Sequence, residues 1–176
     1  MCSMTAQEFQ KRTTGDESDF LNRFLALLNE LGSRFCIIGG QGVNAYVEPL
    51  VSLDLDVVVA AGQLPELEKR AEREFKLQRF PHSLNLSAPG SDLRVQIQLD
   101  TRYQAFLDRA ARQMVLGTPM PVASVDDVLR GKIWAYQDDA RRGSKRQKDL
   151  ADIARLLEAH PRLAPTVPQA ISQKLA

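Results

Sequence analysis

The sequence predicts a mixed α/β fold, with a core of strands and helices at residues 18–116 and a small helical lobe after it. Apolar residues alternate with polar ones along 93–99, which is the period of a half-buried strand. Leu150, Ile153 and Leu157 instead recur at the three- and four-residue spacing of one helix face. The chain is 44% hydrophobic and 26% charged, a balance that is typical of a folded globular protein.

In the first part of the chain the pattern alternates between helix and strand. Residues 1–17 are polar and of mixed charge, and we expect them to form a flexible arm. The predicted elements that follow are a helix over 18–31, a buried strand over 34–38, a short helix over 41–46, a strand over 53–59 and a charged helix over 65–76. The strand at 53–59 ends in three valines, as a central strand does.

The later part begins with period-two spacing and ends in helices. The predicted elements are two strands within 77–100, joined by a turn at Pro89-Gly90-Ser91, and helices over 102–114, 124–136 and 145–158. Pro119 and Pro121 indicate an extended connector. We therefore expect a helical lobe at 117–162 that packs on the core, and a C-terminal tail at 163–176.

Composition limits the classes of partner. The net charge is +1, so only local clusters can attract nucleic acid. Apolar runs of four to six residues are too short to span a bilayer, and the amino terminus lacks the apolar stretch of a signal peptide. We expect a cytoplasmic protein without a membrane partner. Cys36, inside an apolar run, is expected to pack as a buried thiol.

Two short motifs carry the candidate chemistry. Gly39-Gly40 follows a strand, so backbone amides can approach a phosphate there, although the pair also suits a plain tight turn. Asp54 and Asp56 are two residues apart in a strand and therefore project from the same face. Like charges so close repel unless a cation lies between them, and paired carboxylates suit magnesium or manganese. A solvent-facing acidic pair is the alternative.

Taken together, these motifs bear a resemblance to a known group. Residues 37–46 (IIGGQGVNAY) and 52–58 (SLDLDVV) resemble the signature of the DNA polymerase β-like nucleotidyltransferase superfamily, and are most similar to small AbiEii-like nucleotidyltransferases, many of them toxins of type IV toxin–antitoxin pairs. Residues 145–153 (KRQKDLADI) resemble that group's Lys-Asp-x-x-Asp helix, and Lys132 resembles a lysine on the preceding helix. The similarity covers about residues 20–160.

The resemblance implies a nucleotidyltransferase core with a mixed sheet flanked by helices. A nucleoside triphosphate would place its β- and γ-phosphates at Gly39-Gly40, with magnesium on Asp54 and Asp56. An acceptor hydroxyl of RNA, such as tRNA, or of a protein would attack the α-phosphorus. The remaining residues that it implies for the site are Gln41, Ser52 and Lys145 for nucleotide binding, and Lys132, Lys148 and Asp149 for catalysis. A cognate antitoxin is the further partner implied.

The sequence departs from the superfamily's pattern at two places. Many relatives have an arginine four residues before the first aspartate, where this chain has Leu50. The superfamily also commonly has a third carboxylate on a later strand, where this chain offers Gln96 or Gln98. A glutamine can ligate a metal but brings no charge and is not a base at neutral pH. Asp100 would replace the missing acid only if that strand bends.

Three functions therefore remain open: an active nucleotidyltransferase, a nucleotide- or RNA-binding member of the same fold with impaired catalysis, and an interaction protein. Five basic residues at 141–148 are either a solvated helix face or a contact for triphosphate or RNA. Asp149 and Asp152 have the alternative of ordinary acids near the start of a helix. Trp134 and Tyr136 are expected to pack in the core rather than to stack on a base.

Overall fold

A computed structural model describes residues 19–175, in which a seven-stranded mixed sheet carries helices on both faces. The strands are β1 (Phe35–Ile38), β2 (Asp54–Val59), β3 (Lys76–Arg79), β4 (Ser83–Ser87), β5 (Arg94–Gln98), β6 (Ala111–Val115) and β7 (Thr118–Val122). The α-helices are α1 (Asp19–Glu30), α2 (Gly39–Asn44), α3 (Leu64–Ala71), α4 (Val125–Gln137), α5 (Gly143–Ala159) and α6 (Gln169–Leu175). None of these helices is long and apolar enough to cross a membrane. The predicted arm at 1–17 lies outside the described residues.

The strand order β3-β4-β5-β2-β1-β7-β6 places β2 near the centre of the sheet. β2 runs antiparallel to β1 and parallel to β5. A parallel neighbour aligns the start of one strand with the start of the other, so Asp54 is beside Arg94 and Asp56 is beside Gln96. The predicted mixed α/β fold is confirmed, and the sheet brings side chains about 40 positions apart in the sequence into contact.

Each face of the sheet has its own hydrophobic core. Leu55 and Val57 are fully buried on the face that α1 and α3 cover. Val58 is buried with Cys36 on the other face, which α4 and α5 cover. Because side chains alternate along a strand, Asp54 and Asp56 share the face of Val58 and point toward α4 and α5. The three valines of β2 are therefore buried, as predicted for a central strand.

The predicted helix over 102–114 is wrong. Residues Thr101–Arg109 form a 3₁₀ helix, after which the chain is extended in β6 and turns back into β7. Leu116 and Gly117 make this turn with φ values of 49° and 76°, the left-handed conformation that two-residue hairpins need. The hairpin joins the sheet, which therefore continues past residue 116 into the segment that was expected to be a connector.

The expected tail at 163–176 is largely ordered. Pro161–Thr166 forms a 3₁₀ helix and α6 follows it. Leu163, Val167 and Ile171 are all buried in the core that α4 and α5 also line. These three apolar residues follow one another at four-residue spacing, which gives the segment a short amphipathic face. Its brevity and its proline content hide this face from a periodicity search.

Candidate active site

A cavity of about 320 Å³ lies between the sheet and helices α4 and α5. One side of it comes from the end of β1, the start of α2, β2 and β5, and the other side from α4, α5 and the segments that join them. Every residue that the sequence predicts for the site lines this cavity except Gln41: Gly39, Gly40, Ser52, Asp54, Asp56, Gln96, Lys132, Lys145, Lys148 and Asp149.

The two carboxylates of β2 form the acidic part of the cavity. Asp54 Oδ1 is 2.9 Å from Arg94 Nε, and its Oδ2 is 3.9 Å from Lys145 Nζ. Asp54 Oδ1 is buried, yet it accepts no well-directed hydrogen bond among the described residues. Burial raises the pKa of Asp56; the charge of Lys132 opposes this rise and that of Asp54 adds to it. The ionised form of Asp56 is therefore disfavoured mainly because the carboxyl group is buried.

Gly39 allows Asp56 to lie against the β1–α2 turn. Its φ is +65°, a conformation that other residues rarely adopt. A Cβ at Gly39 would come within 2.0 Å of Asp56 Oδ2, whereas a Cβ at Gly40 would make ordinary contacts with Ser52 Oγ at 3.5 Å and with Ser52 Cβ and Lys148 Nζ at 3.9 Å. The first glycine is therefore required by a close approach to the acid. The second leaves free space in the cavity between a hydroxyl and an ammonium group.

The position beside Asp56 on the next strand is Gln96, not an acid. Gln98 also lines the cavity. Asp100 does not replace the missing carboxylate, because both of its oxygens are held by Arg102 and it caps the 3₁₀ helix that follows. Arg102 also lowers the pKa of Asp100 through that hydrogen-bonded pair. Within the described part of the chain there is no group of three or more His, Cys, Asp or Glu side chains placed to hold a metal.

The opposite wall of the cavity is cationic. Lys132 on α4 is 6% exposed, and its Nζ lies 3.1 Å from Asp149 Oδ1 and 2.7 Å from Asp152 Oδ2. Burial alone would lower the pKa of Lys132, but the charges of Asp152 and Asp149 outweigh burial and raise it. The ammonium group is therefore charged. Lys145 and Lys148 on α5 add two further ammonium groups to this wall.

Both carboxylate oxygens of Asp149 are hydrogen-bonded to cationic side chains at the cavity. Its Oδ1 accepts hydrogen bonds from Lys132 Nζ at 3.1 Å and from Arg141 Nη2 at 3.3 Å, while its Oδ2 accepts one from Arg141 Nε at 2.5 Å. A carboxylate with both oxygens engaged holds its neighbours in place. Asp149 thus differs from Asp54, which has an oxygen without a well-directed donor.

Gln41 lies beside the site instead of in it. Its side chain is buried, and Nε2 donates a hydrogen bond of 2.9 Å to the carbonyl oxygen of Ser52. Ser52 itself lines the cavity, with its Oγ 3.4 Å from the backbone nitrogen of Asp54. Ser52 therefore lies in the cavity, while Gln41 supports the residues that lead into β2.

Several residues that line the cavity do not belong to the predicted site. Arg141 belongs to the basic run at 141–148 but is distinguished within it only by its contact with Asp149. Arg94 on β5 contacts Asp54 on the neighbouring strand β2. This contact can be predicted only once β2 and β5 are known to be parallel neighbours. Tyr103 lines the cavity from the 3₁₀ helix that replaced the predicted helix. Trp134 packs with Tyr103 and Phe106, as expected for a core aromatic.

The solved structures most informative about the fold are nucleotidyltransferases. The antibiotic-resistance factor ANT(2'')-Ia matches with a TM-score of 0.63 at 13% identity, over 88% of this chain and 90% of that chain. The lincosamide antibiotic adenylyltransferase LnuA matches with a TM-score of 0.52 at 15% identity, over 77% of this chain and 95% of that chain. A nucleotidyltransferase-like protein from Paracoccidioides brasiliensis matches with a TM-score of 0.50 at 24% identity, over 80% of this chain and 77% of that chain. At these identities the matches show the fold.

Comparison with curated protein sequences found no match. The family described as "Nucleotidyl transferase AbiEii toxin, Type IV TA system" matches residues 41–176, which is most of the chain. The match includes Asp54, Asp56 and the cationic residues of α4 and α5, and it begins just after Gly39-Gly40. The chain therefore belongs to the AbiEii nucleotidyltransferase family and is a nucleotidyltransferase.

Proposed function

We propose that the cavity binds a nucleoside triphosphate with magnesium and transfers the nucleoside monophosphate to a hydroxyl group of RNA, such as tRNA, or of a protein. The observation that carries this proposal is the placement of Asp54 and Asp56 on one face of β2, in the same cavity as Lys132, Lys145 and Lys148. Acids on one wall suit a divalent cation, and ammonium groups on the other suit phosphates.

The acidic wall fits magnesium or manganese by its chemistry. Asp54 has a buried oxygen without a well-directed hydrogen bond, and among the described residues no donor is hydrogen-bonded to the Asp56 carboxylate. Asp54 and Asp56 would hold the metal, and the Gln96 side-chain oxygen is available beside them. When bound, the metal would neutralise charge on the phosphates and on the attacking and leaving oxygens.

The cationic wall and the glycines would hold the triphosphate. Free space at Gly40 lies between Ser52 Oγ and Lys148 Nζ, where a phosphate oxygen can meet both a hydroxyl and an ammonium donor. In the transfer, a bond forms between the acceptor oxygen and the α-phosphorus. The bond from that phosphorus to the oxygen that bridges it to the β-phosphate breaks, its electron pair leaves with pyrophosphate, and the proton of the acceptor hydroxyl passes to solvent water. Placement and charge neutralisation supply most of the acceleration of such reactions.

Transfer is tested by incubating the protein with α-labelled nucleoside triphosphates, magnesium, total RNA and cell lysate. We expect label in an RNA or protein band, and loss of at least a hundredfold in rate in Asp54→Ala and Asp56→Ala, because each removes a carboxylate from the acidic wall. Asp108→Ala is the control, since Asp108 is exposed and outside the cavity. The proposal would be rejected if neither RNA nor protein is labelled. It would also be rejected if both cavity variants label their acceptor as well as the wild type does.

Gln96 favours a second candidate, a nucleotide-binding protein with impaired transfer. It stands where a third acid would be, beside Asp56, and it brings no base to the acceptor hydroxyl. Calorimetric titration with ATP and magnesium, read together with the labelling assay, separates the two candidates. If ATP binds in the titration but no labelled product forms, the second candidate is favoured. Recovery of transfer in Gln96→Asp would then identify the missing carboxylate as the cause.

The description of the family also supports a role as the toxin of a type IV pair, with a cognate antitoxin as partner. Induced expression in a bacterial host without that antitoxin is the test. We expect growth arrest with the wild-type chain and normal growth with Asp54→Ala at equal protein levels. Equal growth of the two cultures would count against the toxin role while leaving the transfer assay as the test of the enzyme.

A further inference from the structure

Asp152 shares its carboxylate between two cations on opposite sides. It lies one helical turn after Asp149 on α5 and is 3% exposed. Its Oδ2 is 2.7 Å from Lys132 Nζ, and its Oδ1 accepts a hydrogen bond of 2.9 Å from Arg155 Nη1. Oδ2 has no well-directed hydrogen bond, so its hold on Lys132 is mainly a charge interaction. Lys132 lines the cavity, whereas Arg155 lies behind Asp152, outside that lining.

Arg155 continues the network to the loop between α2 and β2, residues 45–53. Its Nη2 donates to the Glu48 carbonyl oxygen at 2.5 Å and to Asn44 Oδ1 at 3.3 Å. Asn44 in turn makes two hydrogen bonds to the backbone of Leu50, accepting from its nitrogen at 2.9 Å and donating to its oxygen at 2.6 Å. Arg155 and Asn44 thus fix the loop at two points.

The same loop delivers two residues to the cavity. Ser52 lies on it and lines the cavity, and Asp54 is the first residue of the strand that follows. Leu50 and Val51 between these contacts are 60% and 66% exposed, so apolar burial does not hold this stretch. Residues 45–47 of the loop pack against the two cores, whereas residues 48–52 are held by polar contacts: those of Arg155 and Asn44, and that of Gln41 with the Ser52 carbonyl.

We propose that Asp152 and Arg155 are positioning residues for nucleotide binding, which together hold the Lys132 ammonium group on one side of the cavity and the 45–53 loop with Ser52 on the other. This inference rests on the proposed function, because it assumes that the cavity binds a nucleotide. The physical reason is preorganisation: groups that are already fixed need not be ordered when the ligand binds. Buried charges that lose one partner become costly, which makes the shared carboxylate sensitive to substitution.

Two substitutions separate the halves of the network. Asp152→Asn keeps the shape but removes the charge that holds both Lys132 and Arg155. Arg155→Lys keeps a positive charge beside Asp152 but loses the planar fork that reaches Glu48 and Asn44 at once. Arg162→Gln is the control, because Arg162 forms an exposed ion pair with Asp126 on the same lobe.

Each variant is compared with the wild type by amide hydrogen exchange over residues 45–53 and by calorimetric titration with ATP and magnesium, both below the melting transition. We expect exchange in the loop to accelerate about fivefold in both variants, as the loss of one such hydrogen bond allows. We expect the Kd for ATP to rise about fivefold in Arg155→Lys and about tenfold or more in Asp152→Asn. Arg162→Gln should match the wild type in both measurements.

The outcomes distinguish this inference from the proposed function. Failure of the wild-type chain to bind ATP, CTP, GTP or UTP with magnesium would overturn both. Normal nucleotide binding by the wild type, with unchanged loop exchange in Arg155→Lys, would overturn the inference alone. Faster loop exchange with an unchanged Kd would also overturn it, since the contacts would then serve stability only. If Asp152→Asn does not fold, Arg155→Lys gives the answer, because it keeps the buried carboxylate paired.

Discussion

Gly39 has a φ of +65° and stands against the Asp56 carboxylate, with no space for a Cβ. For Gly39→Ala we expect the free energy of unfolding to fall by about 1–2 kcal/mol from the left-handed backbone alone, and further from the contact with Asp56. Nucleotide affinity should be lost, because Asp56 must move. Urea denaturation and titration with ATP and magnesium measure both effects.

Gly62 supplies the matched control, since nothing lies within 4 Å of a Cβ there. Gly62→Ala should unfold and bind nucleotide like the wild type. Gly40→Ala gives a third point: it meets only ordinary contacts, so it should fold normally but fill the space between Ser52 and Lys148. A Gly39→Ala protein that bound ATP as well as the wild type would contradict the role given to the close approach.

Helix α5 contributes its entry residues to the cationic wall. Lys145 and Lys148 are three residues apart and both line the cavity. We expect Lys148→Met to weaken ATP binding about tenfold and Lys145→Met somewhat less, because Lys145 Nζ already lies 3.9 Å from the Asp54 carboxylate. The wild-type affinity should fall with added salt, and this dependence should be shallower in either variant.

Titrations at three salt concentrations measure these slopes. Lys69→Met is the control, because Lys69 is an exposed lysine on α3, away from the cavity. Equal salt slopes for the wild type and Lys148→Met would show that the α5 lysines do not contact the phosphates. The affinity of the Lys69 variant should follow that of the wild type at every salt concentration.

The elements differ in how well the sequence predicts them. α1 and α5 are long and amphipathic, and their predicted ends lie within two residues of the observed ones. The β6–β7 hairpin was not predicted for two reasons. Leu116 has a positive φ in the turn, a conformation that leucine rarely adopts, and β7 contains two prolines, which are uncommon within strands. Pairing with β6 and with Ile37 of β1 holds that segment extended, which is a tertiary effect.

At the scale of the whole molecule, the cavity combines segments that the sequence keeps far apart. The acids of β2 and the lysines of α4 and α5 were predicted, because each has a local motif or a place in the family's pattern. The contact of Arg94 with Asp54 and the position of Gln96 beside Asp56 follow from strand order. Strand order depends on how two cores pack on opposite faces of one sheet, and local spacing carries no information about it.

The acidic pair also affects the stability of the whole fold, in a direction that depends on pH. Burial raises the pKa of Asp56 above its ordinary value of 3.8, with Asp54 adding to the rise and Lys132 opposing it. As pH increases past 3.8, the unfolded chain releases this proton before the folded protein does. The folded state then holds more protons than the unfolded state, so this group costs stability as pH rises.

Asp56→Asn removes that cost, because the amide stays neutral at every pH. In a metal-free buffer with EDTA we expect this variant to melt above the wild type at pH 7, by about 2–4 °C for each kcal/mol regained. The difference in melting temperature should shrink as pH falls toward 3.8, because the wild-type carboxyl then becomes protonated and is neutral like the amide. Calorimetric melting curves between pH 4 and 8 measure it, with the exposed Asp108→Asn as control. Magnesium should stabilise the wild type more than the variant, since a cation bound at the two carboxylates stabilises the ionised form of Asp56. A variant that melts below the wild type at pH 7 would mean that the surrounding cations, Lys132, Arg141 and Lys148, compensate Asp56 fully, leaving no uncompensated charge to attract a metal.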